Sequence, residues 1–236
     1  VNRRFTAERK VRLGDVDRWG RLRLDALARY LQDVANDDAV DAGEQPSQPW
    51  VVRRVALSFE GSPRLHETVS LTTWCSGVGA RWAERTTVVE ADGARVESVT
   101  LWVYVDPRTL VPARLPERFF EVWGVEGLPK VRGRLTHDDP PPDGGGSRVR
   151  WRPWPLRRTD LDILAHVNNA AYWEPVEEAF GGVDGRRWAG LKSAEMEYRV
   201  PITPEQPVSM GAAEDGRLWL CGADGTFHAS AVVYFA

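Results

Sequence analysis

The sequence predicts an α+β protein built from two copies of one unit, each a central helix wrapped by an antiparallel sheet. Three observations carry this. The order strand, helix, four strands is read twice, once on either side of a Pro/Gly-rich stretch. Leu13-Gly14-Asp15-Val16-Asp17 ahead of the first helix parallels Arg158-Thr159-Asp160-Leu161-Asp162 ahead of the second. Ala91-Asp92-Gly93 with Ser98 matches Ala223-Asp224-Gly225 with Ser230, and each run leads into a strand rich in valine and aromatics. Identity between the copies is weak, but it falls at both ends of each copy, as a duplication would leave it.

In the first copy, residues 5–13 alternate loosely and read as a strand. Asp25 offers an N-cap to a helix whose Leu27, Leu31 and Val34 fall on one face at i, i+4, i+7. Runs 51–59, 69–74, 81–90 and 96–105 are β-branched or aromatic, and Asp92-Gly93 tolerates the positive φ of a hairpin turn between the last two. Residues 135–147 read as a linker, because the run from Asp138 to Gly146 has no large apolar side chain to anchor in a core. The second copy gives a strand at 149–151, a helix at 170–180 capped by Asn168 or Asn169, and strands at 194–201, 208–213, 217–221 and 227–235. The expected domains are therefore 1–134 and 148–236. A sheet of four antiparallel strands that curls around the preceding helix is the hotdog arrangement, and two in tandem make a double hotdog. Each copy then covers the sheet edge that the other would expose.

Bulk properties narrow the function. The chain of 236 residues has a formal charge of −3, which speaks against a dominant nucleic-acid role. Cys75 and Cys221 are isolated and lack metal-ligand spacing, so neither a metal nor another cofactor is expected, and a reduced, cytoplasmic setting is. No apolar run approaches the length of a membrane span, so a soluble protein with no membrane partner is expected.

One stretch carries chemistry. Asp160-x-Asp162-x-x-x-His166-Val167-Asn168-Asn169-x-x-Tyr172, with Glu178 beyond it, resembles the active-site segment of hotdog thioesterases. Trp50-Val51-Val52-Arg53-Arg54, Thr73-Trp74, Ser98 to Val103 and the basic, proline-containing run from Leu110 to Pro116 extend the resemblance to the acyl-ACP thioesterases of plants and bacteria. That family implies hydrolysis of a fatty acyl thioester on acyl carrier protein, with the active site in the C-terminal hotdog and the acyl chain housed in the N-terminal one. The asymmetry fits: Arg21 stands where the second copy has His166, and Leu24 where it has Asn169. Two departures matter. The family's Asp-x-Asn-x-His has Leu164 in its middle, and its Tyr-Arg-Arg-Glu-Cys becomes Tyr198-Arg199-Val200-Pro201-Ile202, without the acid or the thiol.

Thioester hydrolysis needs an activated water or a carboxylate nucleophile, and donors aimed at the developing oxyanion. Asp162 is the expected base or nucleophile, with His166 orienting it or a water and able to protonate the leaving thiolate. The backbone N–H groups of Val167, Asn168 and Asn169 are the expected oxyanion donors. Glu178 is a candidate to orient His166. Leu27 and Leu31 are candidates to line the acyl pocket, and Arg53, Arg54 and Arg199 to meet an acidic carrier. Tyr172 and Trp173 read as core; His66, His137 and His228 read as structural or surface residues. Acyl-CoA in place of acyl-ACP, or a catalytically impaired acyl-binding protein, are the competing readings. The hotdog hydratases fit less well, since their Asp-to-His spacing is one residue wider and holds a proline that this chain lacks. Oligomeric state, a homodimer included, stays open.

Overall fold

In the computed structural model, which describes residues 2–44, 50–106, 108–109, 111–141, 149–181 and 186–236, the two halves repeat one another. The first runs β1 (Arg4–Lys10), α1 (Leu24–Asp41), β2 (Trp50–Glu60), β3 (Thr68–Val78), β4 (Trp82–Ala91), β5 (Ala94–Tyr104) and α2 (Glu117–Trp123). The second runs β6 (Arg150–Trp154), α3 (Glu174–Phe180), α4 (Arg186–Ala189), β7 (Leu191–Tyr198), β8 (Val208–Ala212), β9 (Arg217–Gly222) and β10 (Phe227–Phe235). The ten strands of the described residues form one antiparallel sheet in the order β1-β3-β4-β5-β2-β7-β10-β9-β8-β6. Read inward from either edge, the order is the same. A pseudo-twofold therefore relates the halves, and its seam is the β2–β7 pairing from Arg54↔Glu197 to Ser58↔Ser193.

Helix α1 begins one residue before Asp25, so Asp25 is not its N-cap but a buried first-turn residue held by Arg23 and Arg29. Burial alone would push its carboxyl up; the two guanidiniums outweigh that and hold it below the ordinary range. Leu24, Leu27, Leu31 and Val34 are buried, each contributing about 1.5–3 kcal/mol of transfer free energy on full burial. They join Trp173, Val176 and Met196 in one core shared by both copies. A smaller cluster around Phe119 and Trp123 of α2, with Cys75 and Ala83, closes the far end of the first copy.

The second helix is shorter than expected. A 3-10 turn at Ala171–Trp173 precedes α3, with Ala170 rather than Asn168 or Asn169 at its N-cap, and Asn168 Oδ1 accepts the Ala170 N–H at 2.8 Å in the turn just before it. The expected linker is likewise not loose at its start. Fully buried Glu197 accepts the Thr136 N–H at 2.6 Å and the His137 N–H at 3.1 Å, and Trp219 Nε1 donates to Asp138 O at 3.0 Å. Residues 136–138 are thus strapped across the sheet face turned away from the helices, since Glu197 and Trp219 alternate with core residues Met196, Leu218 and Leu220. The rest of the linker, from 142 onward, lies outside the described residues.

Candidate active site

The loop carrying Asp162 is the backbone twin of the loop carrying Asp17. The Asp162 N–H donates to His166 O at 2.8 Å, and the Asp17 N–H to Arg21 O at 2.9 Å. Asp162 Oδ1 accepts the N–H groups of Leu164 (2.8 Å) and His166 (3.2 Å). Asp17 Oδ1 accepts those of Trp19 (2.9 Å) and Arg21 (3.0 Å). Both loops pass through a positive φ, 79° at Gly20 and 59° at Ala165. The carboxylate-to-amide bonds explain why an aspartate opens each loop.

What differs is the side chain at the loop's end. Arg21 is buried, its Nε donating to Asp17 Oδ2 at 2.9 Å and its Nη2 to Glu177 Oε2 at 2.6 Å. His166 replaces it in the second copy and is half-buried. No hydrogen bond joins its ring to Asp162, whose Oδ1 is spent on the turn, so the expected orientation of Asp162 by His166 is not formed among the described residues. Asp162 Oδ2 makes no hydrogen bond among the described residues.

Two of the three expected oxyanion donors are occupied. The Val167 N–H is bound to Ile202 O at 3.0 Å and the Asn168 N–H to Asp160 O at 2.7 Å, because the loop is stitched to the segment after β7 and to its own entry turn. The Asn169 N–H has no such partner among the described residues, and Tyr198 Oη holds the following peptide by donating to Asn169 O at 3.0 Å. Ile202, at the position of the family's thiol, is a brace instead: its N–H donates to Tyr172 Oη at 3.0 Å.

Glu178 does not orient His166. It is exposed and stands 3.8 Å from Arg152. The helix's inward carboxylate is Glu177, which accepts the Leu24 N–H at 2.6 Å as well as Arg21. Burial raises its proton affinity above the ordinary glutamate range, and Arg21 and the Leu24 amide hold part of that rise back. The expected carrier-binding arginines are also committed internally. Arg54 pairs with Glu84 at 3.1 Å, Arg53 donates to Arg199 O at 2.8 Å, and Arg199 donates to His137 O at 2.8 Å under the strap. A β-bulge between Val52 and Arg54 turns Val52 and Val55 inward and leaves Arg54 outside.

A narrow cavity of about 20 Å³ joins Asn169 and Ala170 to Leu31, Gln32 and Val55 of the first copy. Gln32, Ala35, Arg85 and Trp102 also line a larger cavity of about 220 Å³, which reaches Trp50, Phe119 and Trp123. Leu31 lines this route; Leu27 does not, being turned into the shared core. The far cavity is not wholly apolar. Arg85 projects into it, held by Asp38 at 2.6 Å and stacked 4.8 Å from the Trp123 ring centroid. Cys75 also lines it, its thiol pushed up to about 11 by burial.

His137, Glu195 and Glu197 bring one ligand atom each within 4.8 Å of one another. They are joined to each other and to the strap: the His137 ring meets Ser230 Oγ at 3.0 Å and Glu195 at 3.1 Å, and Glu197 takes the strap's amides. The cluster is a clamp for the strap. Among the described residues no helix is long and apolar enough to cross a membrane.

Residues 2–123 match the acyl-ACP thioesterase N-terminal domain model, and residues 148–218 match the corresponding C-terminal domain model. The chain belongs to the acyl-ACP thioesterase family. It is a thioester hydrolase of double-hotdog fold. Its fold is similar to that of the 12:0-ACP thioesterase from Umbellularia californica, with a TM-score of 0.78 at 19% identity over 99% of this chain and 97% of that one. A putative oleoyl thioesterase from Lactobacillus plantarum gives a TM-score of 0.78 at 17% identity, over 98% and 95% of the two chains. Uncharacterized proteins from two strains of Mycobacterium tuberculosis are 28% identical over 221 residues, 87% of this thioesterase and 81% of each relative.

Proposed function

We propose that this thioesterase hydrolyses fatty acyl-ACP to free fatty acid and ACP in the cytoplasm, ending chain elongation in fatty acid biosynthesis. The observation that carries the reading is Asn169, whose N–H has no backbone partner among the described residues and which lines a narrow cavity that shares Gln32, Ala35, Arg85 and Trp102 with the larger cavity of the first copy. The thioester carbonyl lies against that amide, and the acyl chain runs along α1 past Leu31 and Ala35. Asp162, through Oδ2, takes a proton from a water as the water attacks the carbonyl carbon, or attacks that carbon itself to form an acyl-aspartyl anhydride, which a water then hydrolyses to free fatty acid and Asp162. The oxyanion gathers on the Asn169 N–H, and its collapse expels the thiolate, which His166 protonates.

Acyl-CoA is the second reading, favoured by one observation. Arg53, Arg54 and Arg199, the residues expected to meet an acidic carrier, are spent inside the protein. Turnover of acyl-ACP and acyl-CoA of the same chain length separates the two. Faster turnover on ACP is expected, and faster turnover on CoA overturns the carrier assignment. Loss of hydrolysis in Asp162→Ala with an unchanged fold is the companion expectation; full activity would remove Asp162 from the chemistry.

A further inference from the structure

We infer that Gln32, on the helix of the N-terminal copy, is the second donor to the thioester carbonyl in the C-terminal site. This rests on the thioesterase reading above and adds to it a residue from the other half of the chain.

The first copy shows what the geometry accepts. There the counterpart of the Asn169 amide is the Leu24 amide, and it is occupied by a carboxylate oxygen: Glu177 Oε1 lies 2.6 Å away. Glu177 Oε2 meets Arg21, the counterpart of His166, also at 2.6 Å. An oxygen anion is therefore seated in the inactive site, delivered by the opposite copy's helix. The operation that carries Leu24 onto Asn169 and Arg21 onto His166 carries Gln32 onto Glu177, at the same spacing of 145 residues. That spacing holds along the facing helices, because Arg29 and Glu174, also 145 apart, pair across the axis at 3.3 Å.

A separate observation agrees. Gln32 and Asn169 line the same narrow cavity, and Gln32 lines the larger one as well. Gln32 is half-buried, and no hydrogen bond ties its amide to another described residue.

The exchange of glutamate for glutamine decides the chemistry. A carboxylate at this place takes the helix-start amide for itself and repels a developing oxyanion. A primary amide is neutral and carries N–H groups to give. The carbonyl oxygen of the substrate then takes the place that Glu177 Oε1 has in the first copy, between the Asn169 N–H and Gln32 Nε2. This supplies a side-chain donor where Leu164 has none.

Steady-state kinetics of the full chain on one acyl thioester, with Gln32→Ala, Gln32→Glu and Gln32→Met, test this. In Gln32→Ala and Gln32→Met, kcat should fall by about 10²–10³-fold, the loss typical of one oxyanion donor, with KM and thermal midpoint unchanged. In Gln32→Glu, kcat at neutral pH should fall further and recover in part as the pH drops and the new carboxyl protonates. Wild-type kcat in Gln32→Ala, or losses confined to KM or to the thermal midpoint in both neutral variants, would overturn the inference alone, provided Asp162→Ala abolishes turnover. A wild-type chain inert toward every acyl thioester would overturn the inference and the thioesterase reading together.

Discussion

Arg29 and Glu174 are counterparts in the two copies, and each is the other's ion-pair partner, at 3.3 Å. The axis relating the copies passes between them. On one side of it Arg21 and Glu177 close the first site with a buried ion pair. On the other, His166 and Gln32 leave the second site open. The duplication thus holds two answers to one geometry, and four residues separate them.

Adjacent glutamates on α3 should behave oppositely. Glu177→Ala leaves Arg21 and the Leu24 amide without their shared acceptor, a loss of about 3 kcal/mol by analogy with broken buried pairs. Glu178→Ala should change stability by no more than about 0.5 kcal/mol, as expected of an exposed residue, and leave kcat alone. Chemical denaturation of both variants reads the difference; equal costs would refute the assignment of Glu177 as the inward carboxylate.

Ala165 occupies the left-handed conformation that Gly20 occupies in the first copy. An alanine pays for that backbone while glycine does not, so Ala165→Gly should stabilise the folded state by up to about 1 kcal/mol after the unfolded chain's added entropy is subtracted. A drop in denaturation midpoint would contradict it.

Ala35 lines both cavities, so a larger side chain there should shorten the acyl group that fits. Ala35→Phe is expected to shift the chain-length optimum downward on a panel of acyl thioesters, with turnover of the shortest substrates retained. An unchanged optimum would move the acyl chain out of these cavities.

Asp25 makes the fold acid-sensitive. Its folded carboxyl titrates below the ordinary value of 3.8, so its contribution is fully present above that pH and is lost as pH falls through the folded value. Asp25→Asn should therefore be less stable at neutral pH and lose less on acidification. Parallel stability-versus-pH curves for the variant and the parent would show that Arg23 and Arg29 do not favour the ionised form.

Much of this was legible in the sequence. The two Ala-Asp-Gly turns and the paired Asp loops marked equivalent points, so the repeated order of elements along the chain and the double hotdog followed, while the order of strands within the sheet did not. The inward stripe of α1 followed from Leu27, Leu31 and Val34, but stripe alone does not say that Leu31 faces a cavity and Leu27 the core. On α3, seven residues are too few for periodicity to choose between Glu177 and Glu178. Helix α2 was missed although Pro116 before it and Gly124 after it, at φ 57°, are boundary signals. The internal partners of Arg53, Arg54 and Arg199 are set by tertiary contacts with Arg199 O, Glu84 and His137 O, and no local propensity reveals the one-residue bulge between Val52 and Arg54. The occupied amides of Val167 and Asn168 depend on Ile202 and Asp160, contacts set by tertiary folding.

The β2–β7 seam bears on synthesis of the chain. The N-terminal half leaves the ribosome with β2 as a bare edge, and β7 follows only some 130 residues later. Until then the template is open to a second nascent chain, whose own β2 offers the same antiparallel register. Fusion of the two copies places the correct partner on the same polypeptide, where its local concentration outcompetes neighbours on the polysome. A truncated N-terminal half, lacking that partner, would self-associate through this edge.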